Sequence, residues 1–268
     1  MGKLKIVTFN IRAPYDAVDG INAFVHRAGL ILETIDEEKP DIICFQEMSA
    51  KIRPFLKKFL TDYDLVGHGR LADYSDEGLG IAYRKDCLEL FGLEQFWLSP
   101  TPCIPGSRYE IQSEYPRICV YATLKHKDIK TPIRIYNVHL DHKKDEAKVS
   151  GIKLVLEKIE KDNSVMSYPT LLMGDFNAEP DSTPIALCNE NKSFPLIDLT
   201  KDTGSTFHDY NGTGLAPHAR GKKIDYIFAD TKTYKTAKQM YKWEHTKNGI
   251  HLSDHYPVCV ELEYEDMN

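Results

Sequence analysis

Six stretches of the chain end or interrupt an apolar run with polar residues that packing does not require. TFN supplies Asn10, and FQE supplies Gln46 and Glu47. YNVHLDH supplies Asn137, His139, Asp141 and His142, and LMGDFN supplies Asp175 and Asn177. KIDYIF places Asp225 inside an apolar run, and SDHYP places Asp254 beside His255. Asn10, Glu47, Asp225 and Asp254 are oxygen donors with no thiolate among them, a set that suits Mg²⁺ or Mn²⁺ rather than structural zinc. Histidines beside such a cluster can donate to an anionic substrate, and an aspartate next to a histidine fixes its tautomer or holds it protonated. A hard cation, acids and histidines together fit metal-assisted hydrolysis of a phosphate ester.

Each residue also has a plain structural explanation. An asparagine at a strand end, Asn10 included, commonly caps a turn. DFN can form an Asx turn, and a single strand histidine is usually packed and hydrogen-bonded. Asp225 is different, because a carboxylate inside KIDYIF is buried and must find a donor or cationic partner. The coincidence at successive strand ends is what the plain explanation leaves out.

These residues need elements to hold them. The runs at 4–11, 41–47, 80–85, 88–98, 117–125, 132–140, 170–176, 222–230 and 256–264 read as strands. Helical spacing of apolar residues marks 21–38, closed by Pro40, and 144–161. Alternation along a strand puts Asn137 with His139, and Asp175 with Asn177, on common faces. Strand ends gathered on one rim are where α/β proteins place their sites. Segment 99–116 is the longest irregular stretch, and such loops are commonly functional. No repeat or linker divides the 268 residues, so one domain spanning 1–268 is expected, α/β in class with stacked sheets.

A net charge of −6 argues against tight, non-specific binding of polyanions, though not against a local basic groove. No signal-peptide core or membrane-length apolar run is read, and Ile6 stands where a myristoylation signal needs Ser or Thr. The six scattered cysteines read as reduced thiols. A cytoplasmic protein that does not engage membranes is expected.

TFNIR, DIICFQE, YNVHLDH, LLMGDFNAEP, KIDYIF and SDHYPV, in that order, resemble the motifs of the endonuclease/exonuclease/phosphatase superfamily, of which deoxyribonuclease I is a member. The ordered set runs from residue 4 to about residue 260. FWLSPTPCIPGS and EYPRI look most like its small, stand-alone bacterial members. The resemblance implies a four-layered α-β-β-α sandwich of two packed mixed sheets. It also implies roles. Asn10 and Glu47 match the metal site, with Asp254 assigned to metal or histidine support. Asp175 matches the residue that orients or deprotonates the attacking water, with Asn177 as its partner. His255 and His139 match phosphate-contacting histidines. Asp225 matches the carboxylate behind a site histidine or metal, and Glu77 the acid paired with His139. Arg117 matches a basic phosphate contact, with His142 either beside it or supporting His139. Two loops are expected over the cleft. One carries Arg108 and Tyr109, the other His208, His218, Arg220, Lys222 and Lys223.

The function expected is a Mg²⁺- or Mn²⁺-dependent phosphodiesterase acting on nucleic acid or a nucleotide, as a monomer. Esterases of inositol phosphates or lipid headgroups are the alternative. A non-catalytic phosphate-binding module fits less well, because Glu47, Asp175 and His255 are all present. A zinc or serine hydrolase is disfavoured by the lack of H-E-x-x-H and G-x-S-x-G motifs.

Overall fold

A computed structural model describes residues 2–212, 221–234 and 238–264. In chain order the strands are β1 (Gly2–Asn10), β2 (Ile42–Met48), β3 (Tyr63–Val66), β4 (Gly78–Arg84), β5 (Leu88–Trp97), β6 (Ile118–His126) and β7 (Ile133–His139). There follow β8 (Thr170–Asp175), β9 (Leu196–Asp198), β10 (Asp225–Asp230), β11 (Gln239–Lys242), β12 (Thr246–Lys247), β13 (Ile250–His251) and β14 (Val258–Tyr264). The helices are α1 (Asp16–Asp19), α2 (Phe24–Glu38), α3 (Ile52–Phe59), α4 (Asp145–Val165), α5 (Thr183–Asn189) and α6 (Asp209–Gly212).

Twelve of these strands form two six-stranded mixed sheets, and β12 and β13 pair with each other. One has the order β11-β14-β1-β2-β4-β3, the other β5-β6-β7-β8-β10-β9. Alternation decides which side chains go where. Leu4 and Ile6 of β1, Cys44 of β2, Ile133 and Ile135 of β7, Leu171 and Met173 of β8, and Ile227 of β10 fill the layer between the sheets. Val7, Phe9, Ile43 and Phe45 face the other way, onto Ile31 and Ile35 of α2 and Ile52 and Leu56 of α3. Tyr136, Val138, Leu172, Phe176 and Phe228 face Ile152, Val155 and Ile159 of α4 and Ile185 of α5. Helix, sheet, sheet, helix is the expected four-layered sandwich.

The expected helix at 21–38 begins instead at Phe24, after a 3₁₀ turn over Gly20–Asn22. The expected strand at 222–230 begins at Asp225, and the final strand at Val258 rather than 256. Besides the single-turn α1 and α6, two short helices, α3 and α5, lie outside the sequence expectation. Each carries a proline at or near its start and is under three turns long, too short for a strong periodic signal.

The same alternation sends Thr8, Asn10, Gln46, Asn137, His139, Asp175 and Asp225 toward the space between the sheets. Deep in it, Gln46 Nε2 donates to Asn137 Oδ1 at 2.8 Å. Asn137 Nδ2 donates to the carbonyls of Phe45 and Gly80 at 3.0 and 2.9 Å. Both amides are fully buried, and they tie the sheets together just below the rim. Gly174, at φ +143°, lets β8 approach β7, because a Cβ there would overlap the Val138 carbonyl oxygen.

Asn137→Ala takes the side-chain donor from two buried carbonyls and breaks the inter-sheet bond from Gln46, whose amide keeps the Cys44 carbonyl and the Thr8 hydroxyl. It should lower unfolding free energy by about 2–4 kcal/mol, read as a shifted denaturant midpoint with unchanged slope. An unshifted midpoint would contradict a structural role for the amide bridge.

Candidate active site

One rim of the sandwich collects the polar residues, and strand direction explains how. The carboxyl ends of β1, β2, β7 and β8 deliver Asn10, Glu47, His139 and Asp175. Antiparallel neighbours deliver theirs at or just before their starts. Glu77 precedes β4, Arg117 precedes β6, Asp225 opens β10, and Asp254 and His255 precede β14. His139 lies beside Asp175 in the β7–β8 register, and Asp175 beside Asp225 in the β8–β10 register. Three neighbouring strands thus present histidine, aspartate and aspartate in one row. The rim opens into a cleft of about 810 Å³.

Glu47 reaches that cleft through a local irregularity. A regular β2 would turn it to the helix-facing side after inward-facing Gln46. A register shift between Phe45 and Met48, with Glu47 at φ 56°, redirects it. Arg12 and Asn177 are also left-handed, at φ 60° and 48°. Each such non-glycine residue stores about 1–3 kcal/mol that the surrounding structure must offset.

Asp175 lies at the centre. Its Oδ2 accepts from Asn10 Nδ2 at 3.0 Å and lies 3.5 Å from His139 Nε2 and 3.8 Å from His255 Nε2. Its Oδ1 accepts from the Asn177 backbone N–H at 2.8 Å. Burial and the neighbouring Asp225 carboxylate push its pKa up to about 7. Burial alone would lower the His255 pKa, but the carboxylates of Asp225, Asp175 and Asp254 hold its proton and raise it to about 10. His255 Nδ1 sits 2.9 Å from Asp225 Oδ2, which also accepts from Thr206 Oγ1 at 2.6 Å. The partner that a carboxylate in KIDYIF requires is therefore His255, with Thr206 beside it. His139 is held uncharged, by burial first and then by Arg117 and Arg70.

Glu47 accepts from Asn10 Nδ2 at 3.1 Å and from the Ala13 N–H at 2.8 Å. Arg12 and these donors outweigh burial and keep its carboxylate ionised. The Asn10 amide nitrogen, rather than its oxygen, faces the carboxylates, since Oδ1 accepts from the Arg12 N–H. Asp254 pairs with Arg12 at 3.1 Å.

Several expected contacts resolve differently. Glu77 lines the cleft, yet no hydrogen bond joins it to His139 among the described residues. Arg70 takes its Oε2 at 3.1 Å, and the Tyr15 hydroxyl donates to its Oε1 at 2.8 Å. Arg108 and Tyr109 do not line the cleft. The Arg108 guanidinium donates to the Ser113 carbonyl within the loop, and the Tyr109 hydroxyl donates to the Ser150 carbonyl, which ties the loop to α4. Asp141 accepts from Ser113 and from the backbone at Lys143 and Lys144, fixing the entry to α4. His208 stacks on Tyr256 with centroids 4.1 Å apart, outside the cleft. Lys223 is buried against Asp198 and the Tyr226 ring, while Lys222 does reach the cleft. His218 and Arg220 lie outside the described residues.

Arg117 and His142 meet at the cleft wall, where the guanidinium donates to His142 Nδ1 at 3.1 Å. Arg117 is 5 % exposed, and its Nε has no hydrogen-bond partner. No carboxylate lies within ion-pair distance of it among the described residues. Buried charges are ordinarily paired, and this guanidinium keeps a donor free to take an anion. Arg12, Tyr15, Arg70, Tyr115 and Lys148 also line the cleft and were not read from the sequence as site residues. Only Arg12, two residues past TFN, carried a positional signal.

Among the described residues, Asp175, Asp225 and His255 bring potential ligand atoms within 4.8 Å of one another. No helix among them is long and apolar enough to cross a membrane. The profile of the Endonuclease/Exonuclease/phosphatase family matches residues 7–255. Protein L388 of Acanthamoeba polyphaga mimivirus is 25 % identical, covering 97 % of this chain and all of that one. A solved endonuclease/exonuclease/phosphatase from Bacteroides vulgatus superposes with a TM-score of 0.89 at 27 % identity, covering 99 % of this chain and 100 % of that one. A Bacteroides thetaiotaomicron mannosyl-6-phosphatase superposes with a TM-score of 0.84 at 26 % identity, covering 97 % of this chain and 100 % of that one.

The Asp225–His255 pair has a pH signature. Raising a folded-state histidine pKa from 6.5 to about 10 adds stability that is fully present below pH 6.5. That stability is lost as pH rises through about 10. In NMR titrations the wild-type His255 ring should stay protonated to about pH 10 and titrate at lower pH in Asp225→Asn. The two proteins' stabilities should converge in alkali. A wild-type ring titrating near 6.5 would contradict the pairing.

Proposed function

The chain belongs to the endonuclease/exonuclease/phosphatase family, whose members are metal-dependent phosphoester hydrolases. On that premise we propose that it hydrolyses a phosphodiester in nucleic acid or a nucleotide, by in-line attack of a water held at Asp175. The observation that carries this reading is one row of groups on the cleft floor. A carboxylate with a pKa of about 7 stands between an uncharged histidine and a protonated one. A base poised near neutrality accepts the proton of an attacking water most effectively. The imidazolium of His255, steadied by Asp225, donates to a nonbridging phosphoryl oxygen, and His139 donates from the other side. Arg117 supplies a fork of donors to the same phosphate, with His142 holding the guanidinium in place. Asn10 and the Asn177 backbone fix the Asp175 carboxylate, so the water meets a single geometry.

The residues fit a hard divalent ion. Glu47, Asp175 and Asp254 line the cleft, and carboxylates are the hard oxygen donors such an ion prefers. Glu47, open to the cleft, would hold the ion, with Asp254 beside it, while Asn10, expected as a metal ligand, turns its amide nitrogen to Glu47 and Asp175 and would position them instead. The Asp175–Asp225–His255 group suits it less, because a protonated imidazole has no lone pair to offer. Bound Mg²⁺ or Mn²⁺ supplies charge neutralisation at the phosphoryl and leaving oxygens. The protein is proposed to act as a monomer and as one catalytic domain.

A second reading is an esterase of sugar or inositol phosphates or of a lipid headgroup. It is favoured by the likeness to the mannosyl-6-phosphatase.

Purified protein with Mg²⁺ or Mn²⁺ should hydrolyse bis-p-nitrophenyl phosphate, and EDTA should abolish turnover. Asp175→Asn and His255→Ala should each lower kcat by about a hundredfold or more. Arg117→Ala should raise KM by about tenfold or more, from loss of one charged hydrogen-bond donor set. Undiminished activity in Asp175→Asn, or turnover that survives EDTA, would sink the mechanism. Turnover confined to sugar phosphates would favour the second reading.

A further inference from the structure

One wall of the cleft is built from alternating arginines and tyrosines. Arg12 pairs with Asp254 and Asp19, each at 3.1 Å. The Tyr15 ring lies on its guanidinium, 4.6 Å from carbon to centroid. The Tyr15 hydroxyl donates to Glu77, which pairs with Arg70. Arg70 also pairs with Asp76 at 2.8 Å, and the Tyr115 ring lies on its guanidinium at 4.4 Å. The two tyrosines are 45 % and 46 % exposed, and both line the cleft. The mechanism above uses neither.

Both rings line the concave cleft that holds the catalytic row, and aromatic side chains lining a cleft are ordinary ligand-binding groups. Each guanidinium is held by two carboxylates, which fix it as a cationic backing for the ring and leave it no free fork for a phosphate clamp. A ring pinned on one face loses little freedom when a ligand covers the other, which preserves binding energy. A cation behind the ring also draws π-density back. That weakens the C–H contacts a sugar face makes and favours a planar, electron-rich partner. Stacking on an aromatic side chain contributes about 1–3 kcal/mol per base.

We infer that Tyr15 and Tyr115 are stacking platforms for nucleobases flanking the scissile phosphate, so that the substrate is an unpaired nucleotide or single strand rather than a duplex. Bases inside a duplex stack on one another and offer no free face to the wall. The inference rests on the nucleotide reading of the site and narrows it.

The test compares two short single strands of equal charge, one normal and one with tetrahydrofuran abasic residues on both sides of a single cleavable phosphate. Wild-type kcat/KM should favour the base-bearing strand by about tenfold or more. Tyr115→Ala should erase that preference by slowing only the base-bearing strand, and Tyr115→Phe should keep it. A duplex of the same sequence should be cut more slowly than the strand. Equal wild-type rates on both strands, or an equal loss on both in Tyr115→Ala, would overturn the stacking wall while leaving the nuclease reading intact. No cleavage of either strand, with turnover of mannose 6-phosphate, would overturn both.

Discussion

The Asn10 side-chain amide is the point on which the cleft floor depends. Its Nδ2 lies 3.1 Å from Glu47 on one sheet and 3.0 Å from Asp175 on the other. Two carboxylates that would otherwise repel across the gap share one donor pair. Just beneath, the Gln46–Asn137 bridge sets the spacing of the sheets. The sandwich is apolar along most of its length and turns polar at this rim. Each buried polar group there must be matched across the gap, since an unmatched one costs about 1–3 kcal/mol. Small shifts of one sheet against the other are therefore resisted where alignment matters most.

Local strain completes the alignment. Regular strands bring Asn10, His139, Asp175 and Asp225 to the rim by alternation alone. Glu47 needs a bulge, and Arg12 and Asn177 need left-handed backbone. Ser253 Oγ donates to the Asn10 carbonyl at 2.7 Å, which ties the Asp254–His255 turn to the end of β1. The first and last strands are thus locked together where the proposed metal-binding and phosphate-binding residues meet.

Much of this was legible in the sequence, and the reasons are specific. A carboxylate inside KIDYIF had to be buried and partnered, and Asp225 is. The polar strand ends could be read because apolar alternation makes them conspicuous. Alternation does not account for two positions: Glu47 reaches the cleft through the bulge in β2, and Asn177 lines it from beyond the end of β8. Asn177 follows Asp175 by two residues but lies beyond β8, where its own backbone conformation aims it. Arg70 and Tyr115 sit in irregular loops, and their contacts with Glu77 and with each other are made in space, so no spacing rule exposes them. The loop at 99–116 was expected to bring Arg108 and Tyr109 to the substrate. Their polar groups instead satisfy nearby carbonyls, and Tyr115 of the same loop reaches the cleft.

The account turns on Asp175 directing water at phosphorus, with no covalent bond to the protein. Lowered activity in a variant cannot separate that from attack by the carboxylate itself, but the stereochemical course can. A phosphorothioate diester of defined configuration, hydrolysed in ¹⁸O-water, should give product inverted at phosphorus, as one in-line displacement requires. Retention would mean two displacements through a protein-bound phosphoryl group, and would contradict the assignment of Asp175 as the residue that holds the water.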